Sequence, residues 1–216
     1  MELANGGFKI IKINDLITLQ DLKIGENQNF EIQFKSSKDI LEPVNLQIAQ
    51  YANSSFKLIC VINNSLELNL DLKILGNHTS SEIYNLVDLT ANKKVKLNQN
   101  IIASFAHNQA QHITKCVLDQ SSHASIKHLV KAKSSTKNLS LNQKIQALVL
   151  SSTAKVEMQP ILQIESEDVQ CKHGSTQGFL DTNAIFYMQA RGLSPDICKG
   201  LLVVAFKAEI LSKTTQ

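Results

Sequence analysis

The chain contains no tryptophan, only three prolines and eight glycines in 216 residues, and just 5% aromatic side chains. The lack of aromatics beside basic clusters argues against a nucleic-acid groove, where bases stack on rings between cationic side chains. A net charge of +3 from 22 basic and 19 acidic groups gives no strong field of either sign, and so no pull toward nucleic acid or a membrane surface. Long apolar runs are also lacking. The longest, around Leu201 to Phe206, is a handful of residues, whereas a spanning helix needs about 20. The first residues, Met1 to Gly7, lack the basic start and apolar core of a secretory signal, so a cytoplasmic chain is expected. Four cysteines, Cys60, Cys116, Cys171 and Cys198, stand far apart with no CxxC, and are expected to be free thiols. No Gly-rich phosphate loop, HExxH, GxSxG or EF-hand pattern occurs.

What is present is period-two hydrophobicity, from about Phe8 to Val169. Phe30-Glu-Ile-Gln-Phe34, Val44-Asn-Leu-Gln-Ile48 and Leu66-Glu-Leu-Asn-Leu-Asp-Leu-Lys-Ile74 each put apolar residues on one side only. Ala124 to Ala132, Leu139 to Leu141 and Ile145 to Val149 continue the pattern. Successive side chains of a strand point to opposite faces, so these runs read as strands with one buried face. They recur roughly every 10–14 residues, a spacing that fits either a β-sandwich or a parallel β-solenoid. Two features favour the solenoid. The one Asn-Gly pair, Asn5-Gly6, precedes the first strand, so tight hairpins have almost no signal. The segments between runs are rich in Asn and Ser, whose side chains can bond the turn backbone at a solenoid corner.

The pattern changes after Gly178. Asp181 or Thr182 can cap a helix over Asn183 to Arg191, with Gly192 closing it. Ser194-Pro195-Asp196 supplies a cap, a first-turn proline and a first-turn acid. Ile197, Leu201, Val204, Ala208 and Leu211 then mark an amphipathic helix of about 18 residues. The expected organisation is a β body over residues 1–180 and a helical segment over 181–216. The helices could pack on the β body. Phe186, Tyr187, Met188 and Phe206, however, offer more apolar surface than one face needs, and so a surface for a partner. Arg191 is the single arginine in a lysine-rich chain. Its planar fork is expected to bond carbonyls or a carboxylate at the helix junction, which lysine could not copy.

One stretch is chemically rich: Val169-Gln-Cys171-Lys-His173-Gly174. On a strand Cys171 and His173 point the same way, so a thiolate and an imidazole could address one metal or one sulfur species. Two ligands do not close a metal site, and the rest would come from a neighbouring coil or another chain. The plainer reading is a half-buried cysteine and a surface histidine beside a glycine turn. Glu165, Glu167 and Asp168 read as a solvated corner. They oppose the depression of the Cys171 pKa that thiolate chemistry needs, with Lys172 the only nearby help, so His173 ranks first and Cys171 second. His107 and His112, and His123 and His128, are five apart and suit neither a strand face nor a helix face for pairing. His128 alternates with Ile126 and Val130, and is expected to face the core with a bonded nitrogen. His78 falls in a loop.

Glu167-Asp-Val-Gln-Cys-Lys-His173-Gly-Ser-Thr-Gln-Gly-Phe-Leu-Asp181, Phe186-Tyr-Met-Gln-Ala-Arg-Gly192 and Leu201 to Phe206 together resemble the SufB/SufD family of iron–sulfur cluster assembly scaffolds, most closely its SufD branch. Lys115-Cys-Val-Leu-Asp119, Lys137 to Asn142, Leu148 to Ser151 and Pro160 to Glu165 match in order and spacing, so the resemblance covers about Lys115 to Phe206. It implies a right-handed parallel β-helix with a small C-terminal helical domain. It also implies a non-catalytic cytoplasmic subunit that pairs with a SufB-like subunit and docks a SufC-like ATPase. The family's Cys-x-His falls on Cys171 and His173, with no stably bound cofactor and iron or a cluster held transiently at the SufB interface. Docking of the ATPase falls on the C-terminal region, here Arg191, Gly192, Ile197, Leu201, Val204 and Phe206. Ser175 stands where the family usually has Ala, and Cys116 where it has Gly. The helical region that commonly precedes the β-helix is not matched, which reads as a reduced family member. The competing expectation is a structural β-solenoid that self-assembles, as a homodimer or larger, with no cluster role. A carbohydrate-active solenoid ranks last, because acids do not recur at one position of successive runs.

Overall fold

The computed structural model describes residues 8–13, as backbone, and residues 21–214. The signal-sequence expectation at Met1 to Gly7 lies outside the described residues. Thirteen strands are described, followed by two helices. They are β1 (Phe8–Ile13), β2 (Asp21–Ile24), β3 (Asn29–Lys35), β4 (Val44–Gln50), β5 (Ser55–Ile62), β6 (Leu66–Ile74), β7 (Ser80–Leu89), β8 (Lys94–Ala103), β9 (Asn108–Leu118), β10 (His123–Ala132), β11 (Leu139–Val149), β12 (Lys155–Ile164) and β13 (Val169–Gly178), then α1 (Thr182–Gln189) and α2 (Pro195–Leu211). Odd-numbered strands form one sheet and even-numbered strands the other, each in sequence order. Pairing is parallel throughout, for example β9 with β11 and β8 with β10. This is a parallel β-solenoid in which each turn contributes one strand to each sheet.

The registers stack like residues on like. Ile48, Leu72, Ile101, Val130 and Leu162 form one column across the even sheet. Ile32, Leu58 and Ile83 begin a column across the odd sheet. The period-two residues of both sheets meet inside as one apolar core containing Leu46, Leu70, Leu97 and Ile126. Burial of that continuous face, about 25 cal/mol per Å² of apolar surface, is what holds successive turns together.

The corners bear out the Asn-rich reading. Asn27, Asn53, His78, His107 and Asn138 take positive φ in successive turns along one corner, and Ala91 and Gln120 do so along another. Asn is among the few residues that tolerate this left-handed conformation readily. The His78 and His107 rings stack with centroids 4.8 Å apart, close to the spacing between neighbouring strands. Gly76 is a different case: a Cβ there would run into the backbone of Tyr51 and Ala52 in the preceding turn, so only glycine fits.

The helix caps are those expected. Asp181 accepts from the Asn183 and Ala184 amides, and Ser194 accepts from Ile197 with Pro195 following. Gly192 has φ of 89° in the turn after α1. The end of α2 folds back onto the outer face of the odd sheet. Ile210 is fully buried there among Ile59, Tyr84, Leu86 and Ile113. Lys207 reaches Asp88 at 2.7 Å, and Lys115 reaches Glu209 at 2.6 Å while lying over the Phe206 ring. Alternation is therefore broken in β5, where Leu58, Ile59 and Cys60 are all buried: one face lines the core and the other receives α2.

Candidate functional site

Cys171 and His173 alternate along β13, the last strand of the odd sheet, and share the face that continues the solenoid interior. Their register partners in β11 are the buried Leu141 and Gln143. Cys171 packs against the core and is half-buried, whereas His173 is exposed. It is exposed because β13 is the edge of its sheet among the described residues. The glycine turn expected beside His173 is not there. Gly174 pairs with Lys144 in mid-strand, and β13 runs on to Gly178. A side chain at Gly174 would meet open space on the outer face of the strand. Burial pushes the Cys171 thiol above its ordinary pKa, so within this chain the residue is a thiol rather than a poised thiolate. Lys172 points to the opposite face by strand alternation and gives it no direct help.

Glu165, Glu167 and Asp168 sit in the corner between β12 and β13, with Glu165 paired to Lys131 at 3.2 Å. That is the solvated corner expected. Among the described residues no group of three or more metal-ligating side chains comes together.

Behind His173 the interior changes character. The column begun by Ile32, Leu58 and Ile83 continues as His112, Gln143 and His173. His112 stacks on His128 from the opposite sheet, with centroids 3.5 Å apart. The His112 Nε2 lies 2.7 Å from the Gln99 side-chain oxygen, and the His128 Nε2 lies 3.0 Å from the Thr114 hydroxyl. Asn85 donates to both Gln99 and Thr114, closing the network. His112, His128, Asn85, Gln99 and Thr114 are all fully buried. Burial alone drives His112 down to a pKa of about 3, and burial together with the charge His112 would carry holds His128 well below the usual imidazole value. Both rings are therefore neutral near pH 7.

His128 is the core histidine with a bonded nitrogen that its alternation with Ile126 and Val130 predicts. Its partner His112 is not singled out by the five-residue spacing. The signal was present in the inward phase of Ala110-Gln-His112-Ile-Thr114-Lys-Cys116. It could be read only once the offset between turns was known. Cys60 and Cys116 are buried thiols pushed up to about 12 by desolvation, which makes them structural.

The docking residues divide. Ile197, Leu201 and Val204 on α2 are exposed, as are Phe179, Phe186 and Tyr187. Phe206 is turned inward instead, half-buried under Lys115, whose ammonium donates to the Phe206 carbonyl at 2.9 Å. Arg191 meets neither a backbone carbonyl nor a carboxylate. It bonds the Tyr187 hydroxyl one helical turn earlier and stacks over that ring at 4.5 Å.

Fold and site together define a class: a parallel β-solenoid with an accessible edge strand carrying a Cys-x-His pair and a partly uncovered helical pair beside it. The family model for the SUF system FeS cluster assembly, SufBD core domain, matches residues 22–206, and the chain belongs to the SufB/SufD family of iron–sulfur cluster assembly proteins, in SufD-like form. An iron–sulfur cluster assembly SufBD family protein of Synechocystis is 29% identical over 182 residues, covering 83% of this chain and 40% of that protein. The iron–sulfur cluster assembly protein SufD of Escherichia coli is 36% identical over 63 residues, which are 29% of this chain and 15% of that one. Plasmodium falciparum SufD is 23% identical over 77% of this chain and 12% of its own length. The chain thus spans two fifths or less of these relatives. No described helix is long and apolar enough to cross a membrane.

Proposed function

We propose that this chain is a non-catalytic, SufD-like scaffold subunit of a cytoplasmic assembly complex. It pairs with a SufB-like subunit along the β12 and β13 edges and docks a SufC-like ATPase on the helical pair. The observation that carries the reading is the exposed His173 on β13, the parallel strand at the edge of its sheet among the described residues, within a family whose members assemble iron–sulfur clusters. An edge strand with free backbone groups is a template for another chain. Its imidazole can offer a nitrogen lone pair to iron, the substrate, arriving with that chain. Cys171 contributes as a ligand or sulfur acceptor only if the partner lowers its raised pKa. Ile197, Leu201 and Val204 form the apolar part of the ATPase surface. Arg191, stacked on Tyr187, and Gly192, with its positive φ, set the angle between the helices. Phe206 acts from behind, by anchoring α2 to the β body.

Two measurements test this. The His173→Ala chain should still co-purify with SufB-like and SufC-like partners but should form little cluster on the complex. Normal cluster formation with normal assembly would make the residue structural. Val204→Asp, on an exposed position, should leave the fold intact and reduce recovery of the ATPase at least tenfold. Equal recovery would remove α2 from the docking surface.

A further inference from the structure

Gln143 is 1% exposed, yet neither its side-chain oxygen nor its side-chain nitrogen has a partner, and the Nδ1 of His112 is likewise buried without one. A buried amide left unbonded costs about 1–3 kcal/mol, so three such atoms at neighbouring positions call for an explanation. The register supplies one. Gln143 is flanked on its own sheet by His112 in β9 on one side and by His173 in β13 on the other. All three side chains face the interior, and parallel neighbours lie about 4.8 Å apart, within reach of a glutamine amide.

The chemistry of the two flanks is complementary. The Gln99 oxygen already accepts from Asn85, and an amide oxygen can only accept, so the His112 Nε2 carries the ring proton toward it. The His112 Nδ1 is left as a lone pair facing no donor. The Gln143 NH2 can donate to that lone pair, which aims its oxygen the other way, at the ring of His173. An oxygen so placed accepts from one N–H of His173 and leaves the lone pair of the other ring nitrogen pointing outward.

We propose that Gln143 is the positioning residue for His173, selecting one imidazole tautomer through a hydrogen-bond chain anchored on the buried His112–Gln99 pair. The proposal rests on the reading of His173 as the metal-facing group. A ligating histidine is ordinarily oriented through its second nitrogen by an acceptor. Here the acceptor is a neutral amide, itself oriented by a buried network. A network of buried partners holds its geometry better than surface groups would.

The test uses the full chain, labelled with ¹⁵N at histidine, with Gln143→Met and Gln143→Glu. Methionine has similar length and no amide, so the buried position stays filled. Glutamate restores an acceptor oxygen. The His173 nitrogens should show one dominant tautomer in the unaltered chain, the averaged signals of a free imidazole in Gln143→Met, and a biased pair again in Gln143→Glu. Cluster formation on the assembled complex should fall about tenfold in Gln143→Met. If His173 has averaged signals in the unaltered chain, or if Gln143→Met leaves them unchanged, the proposal is overturned. Failure of the underlying reading looks different: Gln143→Met would shift the tautomer while His173→Ala formed clusters normally.

Discussion

The column Ile32–Leu58–Ile83 and its continuation His112–Gln143–His173 occupy the same inward positions of one sheet. The first three are apolar and closed in. The next two are polar and still buried, and the last is polar and exposed. Backbone pairing is unchanged across the switch. A solenoid turn contacts only its neighbours, so the cost of polar side chains is confined to the turns that carry them. The apolar turns supply stability, and the polar turns lie toward the edge strand β13. Cys171 and His173 are carried by that same edge strand.

The largest expected effect separates the two ends of the column directly. Leu58→Ala should cost about 2–5 kcal/mol in denaturant unfolding, because it opens a cavity at a fully buried position of the core. His173→Ala, in the same column at the exposed end, should change stability by no more than about 0.5 kcal/mol. Comparable losses at both sites would break the distinction.

Next in size is the outer face. Lys115→Met removes the contacts to Glu209, the Phe206 carbonyl and the Phe206 ring that tether α2. A hydrogen bond to a charged group contributes about 1.5–3 kcal/mol, and the loss should appear as faster amide exchange in α2 with β9 and β11 still protected. Uniform exchange throughout the chain would mean that the helix and the β body unfold as one unit.

The third effect sharpens the picture of the polar turns through pH. His112 is held neutral in the folded chain down to a pKa of about 3, whereas in the unfolded chain it protonates near 6.5. Above pH 6.5 both states are neutral and the residue gives no pH dependence. Between 6.5 and about 3 the unfolded chain binds the extra proton, so stability falls as pH falls, by about 1.4 kcal/mol per unit. His128, shifted in the same direction, adds to the slope. His112→Leu should flatten the dependence between pH 6 and 4; an unchanged slope would place the acid sensitivity in other groups.

Much of this was legible in the chain itself. Leu66 to Ile74 could be nothing but a one-faced strand, the rarity of hairpin turns pointed to parallel stacking, and Ser194-Pro195-Asp196 marked the start of α2. The Cys-x-His motif was visible as well, including its common face. Local spacing left other features unseen. Ile59, Tyr84 and Ile113 fall on the outward phase of their strands, and only the packing of α2 over them shows why they are apolar. Gly174 looked like a turn residue, but pairing with Lys144 held it in a strand.

What the sequence by itself determined, then, is which residues point in and where strands give way to helices, since both follow from periods of two and 3.6 that each segment carries alone. What only the tertiary structure decided is who meets whom. His112 and His128 stack, Gln143 stands between His112 and His173, and Phe206 faces the β body rather than a partner. These contacts depend on the number of residues per turn and on the register between turns, which are set by the packing of the whole core.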